Sequence, residues 1–157
     1  MRKIFSLCTF AALFFLFSAN VVFAATWNWI GSNDEIDYFF DKDTIRYELK
    51  SNREINEKKI IVWEKEVFTQ ATAQEADSNR KISYILFLKT YDLTDRTYVT
   101  HEMVFYNRDN KIIWHEKFEN TEKKSIIPDS LGERVLATIC DYALWHHDEF
   151  VEHTLGN

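Results

Sequence analysis

Hydrophobic and polar positions alternate with a period of two along most of this chain and change to a period of three to four only near its end. Trp27, Trp29 and Ile30 mark a first strand over 26–31. Gly31-Ser32-Asn33-Asp34 has the composition of a turn, and the aromatic segment from Ile36 to Phe40 follows as a second strand. Asp41-Lys42-Asp43 makes the next turn, and Thr44 to Leu49 predicts a third strand. Lys50 to Lys59 is polar and reads as a hairpin loop. Ile60 to Phe68, opening on Ile60-Ile61-Val62-Trp63, reads as a strong strand. Thr69 to Arg80 is polar with three alanines and predicts an exposed loop. Ile82 to Tyr91 carries apolar groups at both parities, which predicts a central strand covered on both sides. Thr97 to Asn107 alternates again, Arg108-Asp109-Asn110 is a hairpin turn, and Ile112 to Phe118 completes the run.

The period then changes. Pro128 closes an extended segment, and Ser130 stands where an N-cap hydroxyl can accept the N–H of Glu133. Glu133 can reach back to the N–H of Ser130 to complete a capping box, with Asp129 favoured by the positive end of the helix dipole. From Leu131 onward, with Gly132 in the first turn, the residues Leu131, Val135, Leu136, Ile139, Ala143 and Phe150 recur at helical steps, with Cys140 among them. Strands first and a helix last predict an α+β domain, an antiparallel sheet of about six strands in meander order packed against one long C-terminal helix.

The block before the first strand is no part of that fold. Arg2 and Lys3 precede an apolar run from Ile4 to Phe17, and Val22-Phe23-Ala24 fits a cleavage site. Residues 1–24 therefore read as a signal peptide and 25–157 as one domain. The alternative is an uncleaved anchor, since the apolar run reaches Ala25 and is long enough to span; a membrane enters only in that case. Removing 24 of the 157 residues leaves 133, enough for one core. Two of the 19 basic side chains leave with the leader and none of the 25 acidic ones, so the net charge moves from −6 to −8. That balance argues against nucleic acid or anionic lipid as a partner. Cys8 leaves as well, which makes Cys140 the only remaining cysteine and excludes an internal disulfide. Its helical spacing places it toward the core, the alternative being an exposed thiol or an intermolecular bridge.

The order of short motifs resembles the surface-adhesin protein E-like domain of bacterial exported proteins. The residues that carry the likeness are Trp27 to Ser32, Tyr38-Phe39-Phe40-Asp41, Asp43-Thr44-Ile45, Val62-Trp63-Glu64-Lys65 and Tyr91-Asp92. Arg96-Thr97 to Tyr106 continues it, and Ile127-Pro128-Asp129-Ser130-Leu131-Gly132-Glu133 with Cys140 closes it. The resemblance implies the fold, an exported location in the periplasm or at the cell surface, and an adhesin's role of contacting host or envelope macromolecules. The family's founding member is similar to a host-matrix adhesin with reported haem binding. Two departures stand out. Leu93 occupies the place where the family often has a second cysteine, and Asp141 to His153 extends beyond its usual ending.

Candidate chemistry is sparse. His146, Glu149 and His153 fall on one helical face, but such side chains at a helix C-terminus are more often a solvated face than a metal site, and no metal site is assigned. Trp27, Trp29, Trp63, Trp114 and Trp145 read as core aromatics or as the lining of a groove between helix and sheet. In that groove His101 or His115 could offer haem a ligand, which is the alternative function: a periplasmic small-ligand carrier. No nucleophile elbow or phosphate loop is present, and the three glycines form no cluster. The expectation is a non-catalytic binding protein with no cofactor and no assignable ligand residues. One helix cannot cover both faces of such a sheet, which predicts a homodimer or a protein partner on the second face.

Overall fold

The computed structural model describes residues 25–69 and 82–156. The leader, Cys8 and most of the 69–80 loop lie outside the described residues. Eight strands form one sheet: β1 (Trp27–Ser32), β2 (Ile36–Asp41), β3 (Arg46–Leu49), β4 (Ile55–Phe68), β5 (Ile82–Asp92), β6 (Thr97–Asn107), β7 (Ile112–Lys117) and β8 (Lys124–Ser125). Two helices follow, α1 (Leu131–Trp145) and α2 (His147–Leu155). Neighbours run β1-β2-β4-β5-β6-β7, every pair antiparallel, with β3 on β4 and β8 on β6.

This corrects the simple meander of about six strands. β4 is 14 residues long, and its partners β2 and β3 are 6 and 4. One edge of β4 therefore holds two short strands end to end, Phe40 opposite Glu64 and Arg46 opposite Ile61. The segment 55–59, expected in a loop, belongs to β4. Its polar side chains Asn56 and Lys59 contact Glu48 on β3 at 2.9 and 3.3 Å.

Register decides which side chains share a face. Tyr47, Ile60, Tyr91 and Tyr98 form a row across β3, β4, β5 and β6, and the next rows on that face begin at Val62, Glu64 and Glu66. Both helices land on this face. Ile139, Phe150, Ile45, Ile60 and Val62 are fully buried there, joined by Phe40, Tyr47, Tyr91, Val135, Leu136 and Ala143. Tyr142 meets Phe40 edge-on at 5.1 Å, and Phe150 lies 5.1 Å from Tyr47.

The expected single helix is two. His146 leaves helical geometry at φ −124, ψ 33, with its ring stacked on Tyr142 at 3.9 Å and its Nδ1 3.0 Å from the Tyr142 carbonyl. The break turns α2 along β3. There Thr154 Oγ1 accepts from the Tyr47 N–H at 2.9 Å, and His153 Nδ1 lies 2.8 Å from the Ile45 carbonyl. α2 thus satisfies the outer edge of β3, which would otherwise offer unpaired backbone groups. Gly156 ends α2 at φ 74, a left-handed cap that glycine adopts without strain.

Phe150 is 0% exposed at the joint between α2, β3 and α1. Replacing Phe150→Ala is expected to cost about 3–5 kcal/mol. Urea denaturation would show it as a lower midpoint at an unchanged slope.

Candidate functional site

The helices stop short of the far end of the face they cover. Beyond Val62 the β4 positions that continue the core parity are carboxylates, Glu64 and Glu66. Glu64 takes Lys89 Nζ at 2.7 Å on one oxygen and the Tyr91 hydroxyl in a short hydrogen bond on the other. The Lys89 and Glu64 side chains are only 12% and 4% exposed. Burial alone would pull the Lys89 ammonium down, but Glu64, with Glu66 and Tyr98, holds it above its ordinary value. Burial and the Glu64 charge push the Tyr91 hydroxyl well up. Lys89 Nζ also lies 4.9 Å from the Phe87 ring centre and 5.2 Å from that of Tyr98.

Past this network a cleft of about 400 Å³ opens between the sheet and the 118–124 segment. Phe87, Tyr98, Thr100 and Met103 form its floor with Glu66 and Lys89, and Phe118, Asn120, Thr121, Glu122 and Lys124 line the remainder. Glu66 accepts no hydrogen bond from any described residue. Burial raises its pKa, the Lys89 charge opposes that, and the Glu64 charge adds to it.

The opposite face presents Phe39, Lys65, Leu86, Val104 and His115 in one row and Trp63, Leu88 and Glu102 in the next. Neither helix reaches it. Lys65 Nζ stands 4.4 Å over Tyr84 and 5.5 Å from Trp27, Tyr84 stacks on Tyr106 at 4.5 Å, and burial lowers the Lys65 pKa.

The residues singled out in the sequence go to several places. Ser130 caps α1, accepting the Glu133 N–H at 3.3 Å. Glu133 instead accepts the N–H of Asp129 at 2.7 Å, not that of Ser130, because Asp129 sits in the left-handed region at φ 59. Arg96 pairs with the same carboxylate, and that backbone bond and the arginine hold it below its usual value. Pro128 is exposed just before the cap. A methyl group at Gly132 would meet Ser130 Oγ at 3.5 Å, ordinary contact, so the start of α1 does not demand glycine. Cys140 is half-buried and packs against the core, as does Leu93, and burial pushes its thiol up.

The tryptophans are not core. Trp29, Trp114 and Trp145 are 57–80% exposed, and Trp27 and Trp63 are half-buried on the face away from the helices. The space between helices and sheet is filled by apolar side chains, leaving no aromatic groove there. His101 bonds Thr90 Oγ1 at 2.7 Å and His115 bonds Glu102 at 2.6 Å. His146 and His153 bond backbone carbonyls, and His147 Nδ1 meets the Tyr47 hydroxyl at 3.1 Å. Among the described residues no group of three His, Cys, Asp or Glu side chains is placed to hold a metal. Glu64 and Glu66 escaped the sequence reading. Their signal was two carboxylates at the parity of Ile60 and Val62, where the pattern asks for apolar groups.

The family model of the surface-adhesin protein E matches residues 27–141, well over half of the chain. The chain belongs to that family. The match spans the whole sheet and most of α1, and ends before α2. Crystal structures of Haemophilus influenzae protein E are similar to it in part. A selenomethionine form is 11% identical with a TM-score of 0.45, covering 75% of this chain and 92% of that one. Protein E from a non-typeable strain is 9% identical with a TM-score of 0.47, covering 86% and 93%. At such scores the assignment rests on the family match. No curated protein matches the chain.

A carboxylate whose folded pKa is raised costs stability while ionised, and that cost fades as pH falls through the folded value. Glu66→Gln is therefore expected to raise the urea midpoint at neutral pH. Its advantage should shrink as pH approaches the ordinary carboxylate value of 4.5. Urea midpoints of both proteins between neutral and mildly acid pH measure it.

Proposed function

We propose that this family member is an exported cell-surface protein of adhesin type, which contacts another macromolecule and catalyses no reaction. Its contact surface is the sheet face opposite the helices. One observation carries this reading: the half-buried Trp63, Leu86 and Leu88 adjoin the buried Val104 in a contiguous apolar block on a face that neither helix reaches. Half-buried aromatics extend that block through Phe39, Trp27 and the Tyr84–Tyr106 stack. Contiguous apolar surface of this kind marks protein contacts in soluble proteins. Family membership, the leader-like residues 1–24 and a net charge of −8 without them agree with export and with a protein rather than nucleic-acid partner.

The first partner on this face is a second copy of the chain, and the host or envelope macromolecule is held by the assembled surface. Leu86 lies between Lys65 and Val104 at the middle of the block. The wild-type protein is expected to sediment as a dimer at high micromolar concentration. Leu86→Glu should shift it to monomer and lower attachment of expressing cells to coated host matrix by about tenfold, the equivalent of one buried apolar side chain. A wild-type monomer whose attachment is untouched by the substitution would overturn the proposal.

A further inference from the structure

Beyond the adhesin reading, we infer that the cleft between the sheet and the 118–124 segment binds an organic cation, a primary ammonium on an aliphatic chain. Either a free amine or the side chain of a lysine supplies that chemistry. The argument starts from charge. Glu64 and Lys89 neutralise each other at 2.7 Å. Of the remaining cleft charges, Lys124 and Glu122 are exposed and opposite in sign, so they cancel at the mouth. Glu66 is left as the one inner charge without an opposite partner in contact, and its carboxylate has no donor among the described residues. A half-desolvated carboxylate with vacant acceptor positions gains most from a cation that brings its own N–H donors.

The walls favour an ammonium that carries carbon. Phe87, Met103 and Phe118 line the cleft with apolar surface, and Thr100, Asn120 and Thr121 supply polar groups that can orient a ligand. Cations rest well on aromatic faces, and this site already shows it: the chain's own Lys89 ammonium sits against Phe87 and Tyr98. A volume of about 400 Å³ admits a chain of several carbons beside that lysine. An anion would have to settle near Glu66 and Glu64, with Lys89 already committed. The inner field opposes it.

Met103, one of two methionines in the chain, is a natural reporter because it lines the cleft. The full chain would be labelled with ¹³C-methyl methionine and titrated separately with 1,5-diaminopentane, a capped lysine peptide and inorganic phosphate. A Met103→Leu control identifies the resonance. We expect a saturable shift with the amines, none with phosphate, and a roughly tenfold or greater loss of affinity in Glu66→Gln. Tighter binding of the diamine identifies a free amine as the ligand, and tighter binding of the peptide identifies a partner's lysine; either supports the site. No saturable shift with either amine, a shift with phosphate instead, or unchanged affinity in Glu66→Gln would overturn it. Because Leu86→Glu acts on the opposite face, failure here leaves the adhesin surface standing, and the reverse holds too.

Discussion

Two helices cannot cover a sheet this wide, and that shortage of cover shapes the rest of the molecule. α1 and α2 bury one end of one face, over Ile45, Tyr47, Ile60, Val62 and Tyr91. Burial of those side chains supplies the main stabilisation, on the order of 25 cal/mol per Å² of apolar area removed from water. In the two rows beyond Val62 along β4 the same face carries Glu64 and Glu66. The boundary between core and cleft is therefore chemical as well as geometric. Tyr91 belongs to the core by its ring and to the charged network by its hydroxyl, so one residue joins the two regions.

The buried pair at that boundary helps to fix register more than it adds stability. Bringing Glu64 and Lys89 out of water costs several kcal/mol per ion, and their contact about returns it when the geometry is good. A slip of β5 by one residue would send Lys89 to the other face and leave Glu64 buried without a cation, a state far worse than either pairing alone. The apolar residues of β5 lie at both parities and would tolerate that slip better. The charged pair makes the alternative register expensive where hydrophobicity does not discriminate.

Much of the fold was legible because strand alternation and helical spacing are strong signals. Ile82 to Tyr91, the meander through Ile112 and the capped start at Ser130 all emerged from pattern alone. The misses have physical causes. The start of β4 carries Asn56, Glu57, Lys58 and Lys59, whose polarity hides a strand that pairs with the short β3 on one edge and reaches only the end of β5 on the other. The break at His146 lacks the Gly or Pro that usually announces one, and Leu136, Ala143 and Phe150 keep helical spacing straight across it. Apolar groups at both parities of β5 predicted cover on both faces, yet helices lie on one. The tryptophans misled because large aromatics signal burial in general, whereas here the buried core is built from aliphatic side chains with tyrosine and phenylalanine. The cleft was legible only as an anomaly of parity at Glu64 and Glu66, and needed the register to give it meaning.

The same strands serve two surfaces without compromise. Successive residues of β4 and β5 alternate between them: Lys65, Leu86 and Leu88 belong to the open face, and Glu66, Phe87 and Lys89 to the cleft. A partner that covers the open face leaves the cleft side chains untouched, so the two surfaces can be filled together or singly. Coupling between them would have to pass through the backbone of β4 and β5, held on both edges by antiparallel neighbours. α2, lying past the family match, guards the outer edge of β3 and so leaves faces, rather than that strand edge, to meet a partner. Substitutions at one parity of these strands alter one face and spare the other.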